Sequence, residues 1–198
     1  MSSGVVVKPS KEIIDKLGSC LRGLYGVLRE VLGDVGFRRR YGDVVESVLG
    51  VICGGVDVWF VVVSELLCSK LEDGGIYVYP AIYLGQGLND NMDEHVIVLS
   101  RYLLDVDEKA LCRNMLHELI HVAGFDEDVA GELTDALSER FPEIFGSGSD
   151  AVKVIDDIVE RKGLTCIFIE EAVKKNPEII DKLRRYAISI RDLVKCES

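Results

Sequence analysis

The residues in this sequence that are best suited to chemistry form one short motif, H-E-x-x-H, at positions 117–121. Residues four apart on an α-helix lie on the same face, so His117 and His121 can direct a ring nitrogen at one metal ion. Glu118 lies about 100° further round the helix, where its carboxylate can bond to a water without binding the ion. The spacing therefore predicts a hydrolytic zinc site with two histidine ligands and Glu118 as the catalytic base.

The sequence around the motif predicts an amphipathic helix that starts at Asp105 or Asp107 and ends at Gly124. On a helical wheel, both histidines fall opposite a broad apolar face, which is formed by Leu111, Met115, Leu119 and Val122. A polar stripe of this kind either lines a cleft or faces solvent. A catalytic metal site needs the first of these two arrangements.

Composition limits the class of protein and its partners. The chain has 198 residues, of which 48% are hydrophobic, and this suits one domain, or one domain with a helical appendage. Its net charge of −11 argues against nucleic-acid and anionic-membrane partners. Residues 1–10 lack the features of an export signal, and charges interrupt the most apolar stretch, 44–68. We therefore expect a soluble, cytoplasmic protein.

The cysteines are scattered and form no C-x-x-C pair, so we do not expect a structural zinc knuckle. There are six of them: Cys20, Cys53, Cys68, Cys112, Cys166 and Cys196. We expect most of them to be buried as small hydrophobic residues. Their even number would also suit a thermophilic protein with intracellular disulfides, and Cys166 with Cys196 is then the first candidate pair.

The order of predicted elements indicates an α+β fold. Ser10 caps a helix over residues 11–32, and a shorter helix follows over 44–51. An acidic helix starts at Asp126 or Glu127 and runs to about residue 141. Three strands are predicted from runs of β-branched and aromatic residues, at 56–63, 76–84 and 95–100. Pro80 favours an edge position or a bend in the second strand.

A Gly-Ser-Gly-Ser run at 146–149 is the clearest linker in the chain. We place a metal-binding domain at residues 1–145, with N-terminal helices at 10–52 and the sheet and active-site helix at 56–141. Residues 150–198 form a C-terminal helical segment, with predicted helices at 150–161, 165–175 and 176–195. We expect this segment to cover the domain, to mediate formation of a homodimer or to occlude the cleft.

Residues 56–137 resemble a minimal zincin metallopeptidase, a family built on an H-E-x-x-H helix packed under a small mixed sheet. The resemblance implies a zincin-like α+β fold, a zinc ion as cofactor and hydrolysis of peptide bonds. It also implies an edge strand above the cleft that binds a peptide or protein substrate. The N-terminal and C-terminal thirds of the chain lie outside the resemblance.

The third metal ligand is the open question, because catalytic zinc normally has three protein ligands and no histidine follows His121. Metzincins, a zincin subgroup, carry H-E-x-x-H-x-x-G-x-x-H, and here Gly124 matches the glycine while Glu127 replaces the last histidine. Residues 127–130 also match the E-x-x-A pattern of gluzincins, although from a closer position. We expect Glu127 to be the ligand, with Glu132 second and Asp128 third. Acidic residues in the first turn of a helix are also stabilising without any metal.

Zincins often use a tyrosine or histidine to stabilise the oxyanion, and the candidates here are Tyr77, Tyr79, Tyr83 and His95. The predicted function is that of a zinc-dependent metallopeptidase. In it, Glu118 is the general base that takes a proton from a metal-activated water and passes it to the leaving amine. The alternative is a catalytically inactive, zincin-like protein that a metal stabilises for a binding or regulatory role. A third possibility is a helical interaction protein that binds no metal.

Overall fold

The computed structural model describes residues 5–70, 74–85, 94–146, 156, 159–160, 166–169, 171–172 and 177–196. The main helices in this part of the chain are α1 (Lys11–Leu32), α2 (Val35–Ile52), α3 (Arg101–Val106), α4 (Glu108–Val122), α5 (Glu127–Arg140), α6 (Pro142–Phe145), α7 (Pro177–Arg185) and α8 (Ile190–Leu193). The strands are β1 (Asp57–Val63), β2 (Leu66–Lys70), β3 (Ile76–Tyr79), β4 (Ala81–Tyr83), β5 (Glu94–Ser100), β6 (Cys166–Ile167) and β7 (Ile188–Ser189).

Two small mixed sheets confirm the predicted α+β class. The larger has the strand order β4-β5-β1-β7, in which β1 and β5 are parallel and the two outer strands run antiparallel to their neighbours. The smaller has the order β3-β2-β6. Side chains of β1 alternate between two cores, with Phe60 and Val62 facing the helices and Val61 and Val63 facing the other side. This burial on both faces explains why β1 is an almost continuous apolar run.

Helix α4, which carries the H-E-x-x-H motif, lies at the centre of the helical layer. It contacts α1, α2, α3, α5, α6 and β4. The predicted apolar face is confirmed, since Leu111, Met115 and Leu119 are fully buried. Surrounding packing of this kind fixes the rotation of α4 about its axis, and that rotation directs the histidine stripe towards β4 and α5.

The predicted helix over residues 11–32 is confirmed as α1, and the Ser10 hydroxyl accepts a hydrogen bond from the Ile13 N–H at 3.3 Å. The second helix begins nine residues earlier than predicted, at Val35 instead of residue 44. The reason is a local cap, because the Asp34 carboxylate accepts a hydrogen bond from the Phe37 N–H at 3.0 Å. In the described part of the chain, no helix is both long and apolar enough to cross a membrane.

The predicted strand at 76–84 divides at Pro80 into β3 and β4, which belong to different sheets. Proline cannot donate to a strand ladder, so the chain changes sheets at this residue. The bend separates the exposed edge strand β3 from β4, which pairs with β5. Both strands border the face of α4 that carries the histidines.

The C-terminal segment is less helical than predicted. The helix expected at 176–195 ends at Arg185, and residues 188–189 pair with β1 as strand β7. Residues 166–167, also predicted to be helical, pair with β2 as β6. Pairing with a sheet edge overrides the helical periodicity of these short, β-branched stretches. Most of the predicted linker at 146–149 and of the predicted helix at 150–161 lies outside the described residues.

Two disulfides join the C-terminal segment to the rest of the chain. They are Cys53–Cys196 and Cys68–Cys166, with Cα–Cα distances of 5.5 and 5.8 Å. The predicted Cys166–Cys196 pair is therefore wrong. The two cysteines lie in different parts of the fold. Cys166 is in β6, which pairs with β2, whereas Cys196 follows β7 and α8, which lie beside β1 and α1. The remaining cysteines, Cys20 and Cys112, are free and buried. With Cys68 they are the three buried cysteines of the six, so the expectation that most cysteines are buried as small hydrophobic residues is wrong.

The Cys53–Cys196 bridge should contribute a large part of the free energy of unfolding, because it closes a loop across a sequence separation of 143. In a Cys68→Ser/Cys166→Ser background this bridge is the only one left, and reductant should lower the free energy of unfolding by about 2–5 kcal/mol. Urea unfolding with and without reductant measures the difference. Adding Cys53→Ser should abolish the response to reductant, and a response that persists would contradict the assignment.

Candidate metal centre

The structure brings together His117, His121 and Glu127. The Nε2 atoms of the two histidines are 3.2 Å apart, one turn from each other on α4. Glu127, in the first turn of α5, places Oε1 3.2 Å from His117 Nε2 and Oε2 3.1 Å from His121 Nε2. Among the described residues, these three form the one cluster of metal-ligating side chains, with one ligand atom from each lying within 4.8 Å of the others.

The turn between α4 and α5 explains why Glu127 reaches the histidines. Gly124 has a φ of +93°, a left-handed conformation that glycine adopts without strain. Its N–H donates to the His121 carbonyl oxygen at 2.9 Å, which closes the end of α4. Asp126 then begins α5 at once, since its carboxylate accepts a hydrogen bond from the Val129 N–H at 3.0 Å. The chain therefore reverses within a few residues and returns Glu127 to the histidine face.

Hydrogen bonding in this turn also orients one imidazole for metal binding. His121 Nδ1 is 3.0 Å from the carbonyl oxygen of Phe125, and a carbonyl only accepts, so Nδ1 carries the proton. In neutral His121 the other nitrogen, Nε2, is then an acceptor. It faces an oxygen of Glu127, which only accepts, so attraction between the two atoms needs either a proton on Nε2 or a cation bound by both. A backbone carbonyl that holds the remote nitrogen is a common support for metal-ligating histidines.

The separations suit a small divalent ion. Nitrogen and oxygen ligands placed tetrahedrally at about 2.0–2.2 Å from zinc lie roughly 3.3–3.6 Å apart. The shortest contacts, 3.1–3.2 Å, lie just below this range. The two contacts of Glu127 involve different oxygens, and one ligand atom from each residue lies within 4.8 Å of the others. Burial lowers the pKa of His117, an effect that the nearby Glu127 carboxylate opposes. A lowered pKa keeps the imidazole neutral, as a metal ligand must be.

Glu118 stays outside the cluster and has a different environment. Its side chain is only 8% exposed, and its Oε2 accepts a hydrogen bond from the Tyr83 N–H at 2.6 Å. Burial raises the pKa of the Glu118 carboxyl to about 7, while His121 and the bond from Tyr83 act in the opposite direction. A carboxyl that titrates near neutral pH can both take up and release a proton, as a general acid–base catalyst must.

The cluster opens into a cleft of about 750 Å³, a size typical of ligand sites. One wall is the segment 77–83, which includes β4, and the other is formed by α4 and α5. Three tyrosines that sequence alone could not rank all line the first wall: Tyr77, Tyr79 and Tyr83. The cleft therefore lies between a sheet edge and the helix that carries both histidines.

The other candidate residues lie elsewhere. The Glu132 carboxylate accepts hydrogen bonds from Arg40 and from the Tyr41 hydroxyl, both on α2, and Asp128 does not join the cluster.

His95 is buried, and its Nδ1 is 2.6 Å from the hydroxyl of Tyr83. Burial raises the pKa of Tyr83, so this hydroxyl keeps its proton near neutral pH. His95 thus contacts a wall of the cleft from behind instead of lining it.

Sequence reasoning missed two backbone groups of the site, the Tyr83 N–H and the Phe125 carbonyl. Every residue except proline has an N–H and every residue has a carbonyl, so residue type gives no signal for either group. It also missed Arg113, which lines the cleft four residues before His117. That spacing places Arg113 on the histidine face, and a helical wheel could have identified it.

Comparisons of the chain with known protein families, with curated proteins and with solved structures found no match. Function must therefore be inferred from the chemistry of the clustered side chains and of the cleft that contains them.

Glu127 and Glu132 form a matched pair for a test of metal binding. Glu127→Gln should lower the affinity for zinc at least 10-fold, because it removes a charged ligand. Even the loss of a residue that only supports a ligand costs about 10- to 100-fold in metal affinity. Glu132→Gln should leave the affinity unchanged, since that carboxylate is held by α2. Competition with a chromophoric chelator measures both. Equal losses in the two variants would remove Glu127 from the ligand set.

Glu118 should make the metal-free protein less stable as pH rises. Its pKa is about 7 in the folded protein against an ordinary 4.5, so the folded state binds the extra proton between these values. The free energy of unfolding should therefore fall by roughly 3 kcal/mol from pH 4.5 to 7 through this one group.

Urea unfolding of chelator-treated protein across this pH range tests that expectation. The histidines titrate in the same range, so the relevant quantity is the difference between the parent protein and Glu118→Gln. That difference should grow as pH rises, in favour of the variant. A difference that does not change with pH would mean that Glu118 keeps its ordinary pKa.

Proposed function

We propose that this protein is a zinc-dependent peptidase with a zincin-like site. The observation that carries the proposal is the convergence of two imidazole nitrogens and a carboxylate in the lining of a cleft, together with a buried fourth side chain, Glu118. Structural metal sites are normally closed by four protein ligands, whereas catalytic sites have three and leave a position for water or substrate. Three ligands facing a cleft fit the catalytic kind.

His117, His121 and Glu127 would hold the metal. A zinc ion bound there lowers the pKa of a water ligand towards about 7 and polarises a carbonyl oxygen. The protein keeps its ligands ready for this role, since the Phe125 carbonyl fixes the proton of His121 on Nδ1. Two neutral imidazoles and one carboxylate leave a net positive charge on a divalent site, which favours an incoming carbonyl oxygen.

Glu118 would move the protons. The Tyr83 N–H holds Oε2, which leaves Oε1 to accept a proton from the attacking water. As the peptide carbon–nitrogen bond breaks, the same carboxyl gives that proton to the leaving amine. A pKa of about 7 suits both steps, because the carboxyl is neither a very weak base nor a very weak acid at neutral pH.

The edge strand β4 would align the substrate chain. The main-chain groups of Pro80, Ile82 and Leu84 face β5, as shown by the bonds from Leu84 N–H to Val96 and from Ser100 N–H to Pro80. The groups of Ala81 and Tyr83 therefore point the other way, as the bond from Tyr83 to Glu118 illustrates. An extended peptide can add to such an edge by main-chain hydrogen bonds.

Glu118→Gln provides the direct test. The variant should bind one zinc ion per chain but lose at least about 100-fold in the rate of peptide cleavage, because it cannot accept a proton. Glu108→Gln is a matched control at the other end of α4 and should cleave at the parent rate. Elemental analysis and cleavage of a mixed peptide library give the two readouts. Cleavage by Glu118→Gln at the parent rate would refute the assigned role.

The test requires the whole chain, because the C-terminal segment supplies β6, β7 and one cysteine of each disulfide. Bound zinc without cleavage by the parent protein would instead favour a metal-stabilised binding or regulatory protein. Occlusion of the cleft by the C-terminal segment receives no support from the described residues, of which none beyond Asp135 lines the cleft.

A further inference from the structure

We propose that the cleft binds a carboxylate group of its substrate at Arg113 and Thr134, one helical turn from His117 on α4 and two turns from Glu127 on α5. The inference rests on the proposed peptidase function in so far as it calls the bound molecule a substrate, but binding of a carboxylate at this site can be tested without any catalysis. Both residues line the same cleft as the metal cluster and belong to its α4–α5 wall.

Arg113 is a largely buried cation that faces the cleft. Its side chain is 15% exposed, and it lies on α4 four residues before His117, hence on the same face. Two of its five N–H donors are used on α5, one to the hydroxyl of Ser138 and one to the carboxylate of Asp135. These bonds hold the guanidinium in place and leave donors for a ligand.

Thr134 supplies an independent sign of a ligand. The residue is 2% exposed, and among the described residues its hydroxyl oxygen has no hydrogen-bond partner. A buried hydroxyl without a partner is destabilising. Ser138, one turn further along α5, donates to the Thr134 carbonyl oxygen and accepts from Arg113, so Thr134 and Arg113 belong to the same part of the α4–α5 wall. A ligand group that accepts from both would remove the cost.

The wall of the cleft also has room for such a group. Gly131 lies in α5 between Glu127 and Asp135 and lines the cleft. A Cβ atom built on Gly131 would meet nothing within 4 Å. Glycine inside a helix is destabilising relative to alanine, although the space would accept the methyl group of alanine. Because residue 131 has no side chain, the space between the cluster of His117, His121 and Glu127 and the side chain of Arg113 stays open.

The donors select a carboxylate. A guanidinium presents parallel N–H groups that match the two oxygens of a carboxylate, and the threonine hydroxyl adds a further donor. Asp135 does not neutralise the Arg113 guanidinium in place of a ligand carboxylate, because the Asp135 side chain is 67% exposed and its attraction to Arg113 is screened by water. One helical turn is about 5.4 Å, and an extended chain spans about 3.3–3.6 Å per residue. Arg113 is one turn from His117 and Thr134 two turns from Glu127, so the carboxylate would lie within about one to three residues of the bond to be cleaved.

Two sources could supply that carboxylate, the C-terminus of a peptide or an acidic side chain. Four probes separate them: N-acetyl-tetra-alanine as the free acid and as the amide, and the amide with its last alanine replaced by glutamate or by glutamine. Binding is measured by NMR titration of the chelator-treated parent protein, where neither metal coordination nor cleavage can contribute. We expect at least one carboxylate probe to bind about 10-fold more tightly than its neutral partner.

Thr134→Val is the decisive variant, because it keeps the shape of the side chain and removes only the hydroxyl. The preference for the carboxylate should fall towards 1 in Thr134→Val and in Arg113→Gln, and Thr134→Ser should retain it. Thr134→Val should unfold at the same or a higher urea concentration, since it deletes an unpaired buried group. Urea unfolding of each variant shows that a lost preference is not a loss of fold.

Each outcome decides the matter. Preference for the free acid assigns the site to a peptide C-terminus, and preference for glutamate over glutamine assigns it to an acidic side chain. Equal binding of all probes, no binding of any, or a preference that survives in either Thr134→Val or Arg113→Gln overturns the proposal. The peptidase function fails separately, if the zinc-loaded parent protein cleaves none of the peptides while the binding preference stands.

Discussion

Gly124 ends α4 in a left-handed backbone conformation, and the polar contacts of the metal centre depend on the reversal that follows. The same turn directs the Phe125 carbonyl at His121 Nδ1 and returns Glu127 to the Nε2 atoms of both histidines. The requirement lies in the backbone and not in crowding, because a Cβ at Gly124 would meet nothing within 4 Å. A residue with a side chain would therefore strain the turn and displace two contacts at once.

The cluster brings acceptors together, and a bound cation or an added proton would make their contacts favourable. Neutral His121 presents a lone pair to Glu127 at 3.1 Å, and the buried carboxyl of Glu118 follows His117 directly in the sequence. Burial raises the pKa of Glu118, which shows that the folded protein already resists a further negative charge at this place. A bound divalent ion would stabilise both the His121–Glu127 contact and a negative charge on Glu118, so metal binding and folding should be coupled. The cost is tolerated because α4 is packed on nearly every side.

Local rules explain what could be predicted from the sequence. The cap at Ser10, the paired histidines, the helix end at Gly124 and the return of Glu127 each depend on residues a few positions apart. The errors concern long-range pairing: Cys53 with Cys196, Cys68 with Cys166, and the strands β6 and β7 within a segment of helical periodicity. The cap at Asp34 is a local signal that was overlooked. Arg113 and Thr134 acquire meaning only when α4 and α5 pack together, which no spacing in the sequence specifies.

The two edges of the larger sheet have different surroundings, and this asymmetry bears on the site. At one edge β7 pairs with β1, while α8 packs on α1 and Cys196 is bonded to Cys53, so the C-terminal segment is fastened at this edge. At the other edge β4 turns its Ala81 and Tyr83 main chain towards the cleft, and the Tyr83 N–H holds Glu118. A peptide that added to β4 would thus lie beside both Glu118 and the cluster of His117, His121 and Glu127. The attachment of the C-terminal segment at the far edge helps to hold β4 in its position beside α4, because the two strands between the edges, β1 and β5, are buried on both faces.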